Sequence, residues 1–134
     1  MSKLTVTCAL LLALGDWTHL RACSTRHRMD FSAATTSDHY QVRGWNSEVV
    51  ATVTEPQKVQ AAAAFIIQHS DDFSEVLSGP QAPILQMEFL HGSQSLTSFG
   101  IGDTYLTDGS VSRPTSAAEI DGFMRQLDLK WPKR

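Results

Sequence analysis

Four histidines lie beyond residue 22: His27, His39, His69 and His91. Imidazole is the side chain best suited to proton transfer at neutral pH and to metal ligation. None of the four shows the i, i+4 or three-to-five-residue separation by which two histidines on one element share an ion. His69 follows a helical stretch, where a cation meets the negative end of the helix dipole. His91-Gly92-Ser93 sets a base beside a hydroxyl, but nucleophilic catalysis needs that base oriented by a third group. A solvated turn explains the tripeptide. Gly100-Ile101-Gly102 is a fragment of a dinucleotide-binding fingerprint, with Tyr105 where the third glycine would stand and a strand-like run after it. It reads as a hairpin turn. Asp103 and Asp108 flank a short run without the spacing of a calcium loop, and no particular carboxylate pair is singled out for glycoside hydrolysis. The chain carries no C-x-x-C, H-E-x-x-H, G-x-S-x-G or P-loop motif. These patterns point away from an enzyme and away from a bound metal or cofactor.

The elements that would hold these residues follow from periodicity. Residues 48–53 (EVVATV) are β-branched and apolar and predict a strand. Thr54 and Gln57 have the spacing of a capping box, and Pro56 suits a first helical turn. Val59, Ala62, Ala63, Ile66 and Ile67 then recur at helical spacing, and Asp71-Asp72 with Ser78-Gly79-Pro80 ends that helix in a loop. Over residues 83–90, Leu85, Met87 and Phe89 share one face while Gln86 and Glu88 take the other. His91-Gly92-Ser93-Gln94 is a turn, after which Thr97, Phe99 and Ile101 alternate again. Residues 104–107 and 110–113 form further strands around Asp108-Gly109, a short hairpin signal. Ser116 and Glu119 predict the cap of a last helix with Ile120, Phe123, Met124 and Leu127 as its core face. The order β-α-β-β-β(-β)-α predicts an α+β domain: an antiparallel sheet of about four to five strands with two helices packed on one face.

At 134 residues, 42% hydrophobic and 19% charged, the chain has the size and composition of one folded domain. Residues 1–22 read as an export signal. Lys3 supplies the positive charge, residues 4–14 are an apolar stretch of 11, and residues 15–22 are a short polar close. That stretch is too short for a bilayer span, which takes about 20 residues. Loss of the leader removes two basic residues and one acidic one, taking the net charge from −3 to about −4. No basic stripe remains to follow a phosphate backbone, so nucleic acid is not an expected partner. Cys8 leaves with the leader, and Cys23 is then the lone cysteine, unusual in an exported chain unless modified or paired between chains.

Leu20-Arg21-Ala22-Cys23 resembles the lipobox of bacterial lipoproteins, whose cysteine thiol takes a diacylglycerol and becomes the new N-terminus. Leu20 and Ala22 fit that pattern, and Arg21 stands where a small or β-branched residue is usual. The resemblance implies lipidation at Cys23 and, through Ser24, sorting to the periplasmic side of the outer membrane. Cleavage after Ala13-Leu14-Gly15 would instead leave a soluble chain beginning at Asp16. Residues 23–39, rich in Ser, Thr and Ala, then form a lipidated N-terminus and flexible tether, and residues 40–134 the domain.

Leader, lipobox and size together resemble the small periplasmic lipoproteins of Gram-negative bacteria, some of which are inhibitors or immunity proteins against toxins and lysozyme-like enzymes. The resemblance implies a non-catalytic binding lipoprotein that blocks an envelope-acting enzyme, and the negative charge suits a basic hydrolase as the protein partner. The Ser-Gly-x-x-Tyr signature of one lysozyme-inhibitor family is absent, since Ala82 stands where its tyrosine would be. Turns on a rigid sheet commonly carry contacts, which makes Asp103, Tyr105 and Asp108 the expected partner-binding residues. The alternative is a structural role in assembling an envelope complex. Ile84 and Leu90, opposite Leu85 and Phe89, would then form an exposed apolar patch.

Overall fold

The computed structural model describes residues 26–77, 79 and 81–132; the leader and Cys23 lie outside the described residues. The described residues fold into one antiparallel sheet of seven strands with two α-helices and a 3-10 turn. The strands are β1 (His39–Gly44), β2 (Val49–Val53), β3 (Ser74–Glu75), β4 (Leu85–His91), β5 (Gln94–Ile101), β6 (Tyr105–Asp108) and β7 (Val111–Pro114). Helix α1 (Pro56–Gln68) separates β2 from β3, helix α2 (Ala117–Gln126) follows β7, and the 3-10 turn is Ser32–Thr36. Across the sheet the order is β2-β1-β4-β5-β6-β7-β3. The α+β class and the antiparallel pairing are as the sequence predicts, but the strand count is seven, not four to five. The two additional strands have plain causes. β1 alternates Tyr40 and Val42 with Gln41 and Arg43 over a short run, and β3 is two residues long.

Register places the core on one face. Tyr40 lies opposite Phe89, Val42 opposite Met87, Met87 opposite Phe99, and Leu85 opposite Ile101. Directly opposed residues share a face, so these side chains form one apolar surface, all of it buried. Val59, Ala62, Ala63 and Ile66 of α1 and Ile120, Phe123 and Met124 of α2 bury into the same core. Phe65 stacks on Phe123 at 3.9 Å between ring centroids, joining the helices, and Phe123 lies 6.5 Å from Phe99 on the sheet.

Local signals decide where the helices begin. Pro56 occupies the first turn of α1, but Glu55 is the N-cap and makes no side-chain cap bond, so the predicted Thr54–Gln57 box does not form. At α2 the Ser116 hydroxyl accepts the Glu119 N–H at 3.2 Å. The Glu119 carboxylate turns instead toward His69 Nε2, 3.6 Å away. Half of that box exists.

The expected flexible tether is corrected over its described part, residues 26–39. The His27 N–H donates to the Phe73 carbonyl at 2.6 Å, and the Met29 N–H to that of Ser70 at 2.8 Å. Phe31 is 2% exposed and packs against Phe73 and Phe99, with Ala34 buried beside it. An apolar ring in an arm of otherwise small polar residues suffices to dock the arm, because the core offers Phe31 a site lined by aromatic rings. The domain therefore starts well before residue 40.

The expected apolar patch on the opposite face is corrected too. Leu90 is buried and Ile84 half-buried, while Gln41, Arg43, Gln86 and Glu88 occupy the open part of that face. Its polar groups bind one another: Arg43 donates to Gln41 at 3.1 Å, and the Ser95 hydroxyl to Glu88 at 3.1 Å.

Candidate functional site

The three residues expected to bind a partner occupy different surroundings. Asp103 is exposed in the bend between β5 and β6. Tyr105, at the start of β6, is half-buried, and its hydroxyl donates to the Ala82 carbonyl. Its ring covers Gly102, where a Cβ atom would come within 2.2 Å of the ring. Gly100 makes similar room for Pro83. The two glycines of Gly100-Ile101-Gly102 thus serve packing, not a phosphate loop. Asp108 ends β6 beside the turn at Gly109, whose φ of 63° suits a glycine-led primed turn. Burial pushes its carboxyl above the usual value. Asp103 and Asp108 are held at opposite ends of a strand, and the structure does not join the three into one surface.

Histidines far apart in sequence do meet. The Asp38 carboxylate accepts the His39 Nδ1–H and, at 2.8 Å, the Gly92 N–H. His91 Nδ1 donates to the Thr36 carbonyl at 3.1 Å and lies 3.7 Å from Asp38. His39, first, and the Gly92 N–H, second, hold the Asp38 carboxyl below the usual range. An Asp–His pair could orient a base, but the neighbouring hydroxyls are committed elsewhere: Thr36 donates to Ala33 and Ser37 to Ala34. Among the described residues, no three His, Cys, Asp or Glu side chains converge as ligands to an ion would. The cluster works as a clasp between the N-terminal arm and the β4–β5 turn.

The feature best suited to contact lies at the other edge of the sheet, in the loop joining β1 to β2. Trp45 is 75% exposed there, with Val49 at 42% and Val50 at 54%. Backbone bonds close the loop: the Gly44 N–H donates to the Glu48 carbonyl and the Ser47 N–H to that of Gly44, both at 2.9 Å. Asn46 accepts the Glu48 N–H at 3.2 Å and donates to the Glu48 carboxylate at 3.3 Å. Arg43 reaches up to the Ser47 carbonyl at 3.3 Å, and Ser47 adopts a φ of 65°. A break in register at Val42/Arg43 leaves Val50 without an opposed residue, a β-bulge that turns the strand at the base of the tip. The loop is thus closed by its own hydrogen bonds while its largest apolar side chain faces water.

Sequence reasoning passes over Trp45, although Asn46-Ser47 between two alternating runs is a turn signal that would have set it at a hairpin tip. Among the described residues, no helix is long and apolar enough to cross a membrane. No protein-family description, curated protein or solved structure matches this chain.

Proposed function

We propose that this chain is a non-catalytic, lipid-anchored envelope protein that inserts its β1–β2 tip into a cleft of a protein partner and thereby blocks it. The observation that carries this reading is Trp45, three-quarters exposed on a loop whose backbone is already fixed. Tryptophan is enriched among the few residues that dominate binding energy, chiefly where it fills a pocket. A loop ordered beforehand loses little entropy on association. A convex tip fits a concave partner, as the active-site groove of a hydrolase would be. The leader-like N-terminus and Cys23 support a location for such an inhibitor or immunity protein on the periplasmic side of the outer membrane, and the negative charge favours encounter with a basic enzyme. Asp103, Tyr105 and Asp108 lie four strands from β2, roughly 19 Å at the usual strand spacing. They are not part of this contact.

The test is capture from an envelope extract by the membrane-associated protein and by its Trp45→Ala variant. The mature chain begins at lipid-modified Cys23, and a defined partner is retained. Trp45→Ala weakens retention roughly thirtyfold, the effect of losing about 2 kcal/mol, with an unchanged melting curve. A soluble product beginning at Asp16 overturns the anchoring. Undiminished capture by Trp45→Ala overturns the site.

A further inference from the structure

We propose that the cleft between the 3-10 turn and α1 binds a small amphiphilic cation, an unbranched alkyl chain ending in a protonated amine. The cleft has a volume of about 520 Å³, within the range of sites for small organic molecules. Ala34 forms one wall, and Val59, Ala63, Ala64 and Ile67 of α1 form the other. Methyl side chains facing one another leave a slot suited to a linear chain. The hydroxyls at its rim are already bound. Thr35 donates to the Ser32 carbonyl at 2.7 Å, and Ser37 to that of Ala34 at 2.6 Å. These two hydroxyls have their protons committed, and apart from Gln60 and Asp38 the remaining side chains of the slot are apolar, which suits an apolar body.

Selection of the charged end rests on Asp38. Among the described residues it is the one ionisable side chain lining the cleft, and no lysine, arginine or histidine of theirs lines it. Its carboxylate accepts one bond at each oxygen, from His39 and from Gly92. Two carboxylate oxygens offer about four lone-pair sites, so capacity remains for an ammonium. The side chain is about half exposed and within reach of a ligand in the slot. An anionic amphiphile would meet the like charge of Asp38, and specificity follows as much from that repulsion as from the attraction. This site is separate from the Trp45 tip and does not depend on it.

The test is a titration of the isotopically labelled full chain at pH 8, with backbone amide resonances as the readout. Hexylammonium chloride and sodium hexanoate are the two probes, both too short to form micelles readily. Hexylammonium gives saturable shifts at Ala34, Asp38, Ala63 and Ala64, and hexanoate needs at least about tenfold more to match them. Ala64→Trp, on the exposed wall of α1, abolishes the shifts and leaves the remaining spectrum in place. Asp38→Asn brings the two probes within about twofold of each other. Equal binding of hexanoate would identify a fatty-acid groove and overturn the proposal. So would shifts that survive Ala64→Trp, or an absence of saturable shifts with hexylammonium.

Discussion

Among the described residues, two buried hydroxyls lack a hydrogen-bond partner, those of Tyr40 and Ser112, and the larger side chain is Tyr40. Tyr40 is fully buried, and among the described residues its phenolic oxygen finds no hydrogen-bond partner. Burial, reinforced by the carboxylates of Glu55 and Asp128, pushes its pKa up to about 12. An unsatisfied buried polar group is destabilising by about 1–3 kcal/mol. Tyr40→Phe keeps the ring and removes that group, so denaturant melts should show the variant more stable by about 1 kcal/mol. A loss of stability would mean that the hydroxyl has a partner after all. Nothing in the order of residues announces this, because Tyr40 and Phe89, which pack edge-on at 6.1 Å, come from strands separated by α1. The same blindness hides the meeting of His39 and His91 at Asp38. Trp45 was legible in principle. The turn chemistry of Asn46-Ser47 is local, whereas its exposure depends on how the sheet is ordered.

Helix starts separate what local sequence decides from what it merely permits. Ser116 and Thr54 both sit where a cap belongs, with Glu119 and Gln57 three residues on. Only Ser116 makes the bond. At α1 the N-cap falls one residue later, at Glu55, because Pro56 is pre-organised for the first helical position and needs no amide donor there. Ser116→Ala should therefore cost about 1 kcal/mol in thermal or denaturant unfolding. Thr54→Ala should stay within about 0.5 kcal/mol of the parent. Equal losses in both would show that the hydroxyl of Thr54 caps in solution. The apolar faces of both helices and the four strands from β4 to β7 could be read directly from their periods. The edge strand β3 could not, since two residues carry no period, and the docking of Phe31 could not, since one ring in a polar arm looks like chance.

For the molecule as a whole, the clasp at Asp38 ties the N-terminal arm to the sheet. The Asp38 carboxyl lies below its ordinary value of 3.8 in the folded chain. A folded value lower than the unfolded one stabilises the fold above the unfolded pKa, and that stability is lost as the pH falls through the folded value. Asp38→Asn should lower Tm at neutral pH, and the gap from the parent should close as the buffer is taken below 3.8. A gap independent of pH would assign the effect to packing instead of charge. The strand order also bears on how fast the molecule is made. Strands β4 to β7 pair each with its neighbour in the chain, so their hairpins close short loops, whereas β1 meets β4 only across the whole of α1. Loop closure is slower and entropically costlier over longer separations. The meander and the β1–β2 hairpin are then the early-forming units and the β1–β4 seam the late one, so the tip that displays Trp45 closes on its own and joins the rest of the sheet only when that seam forms.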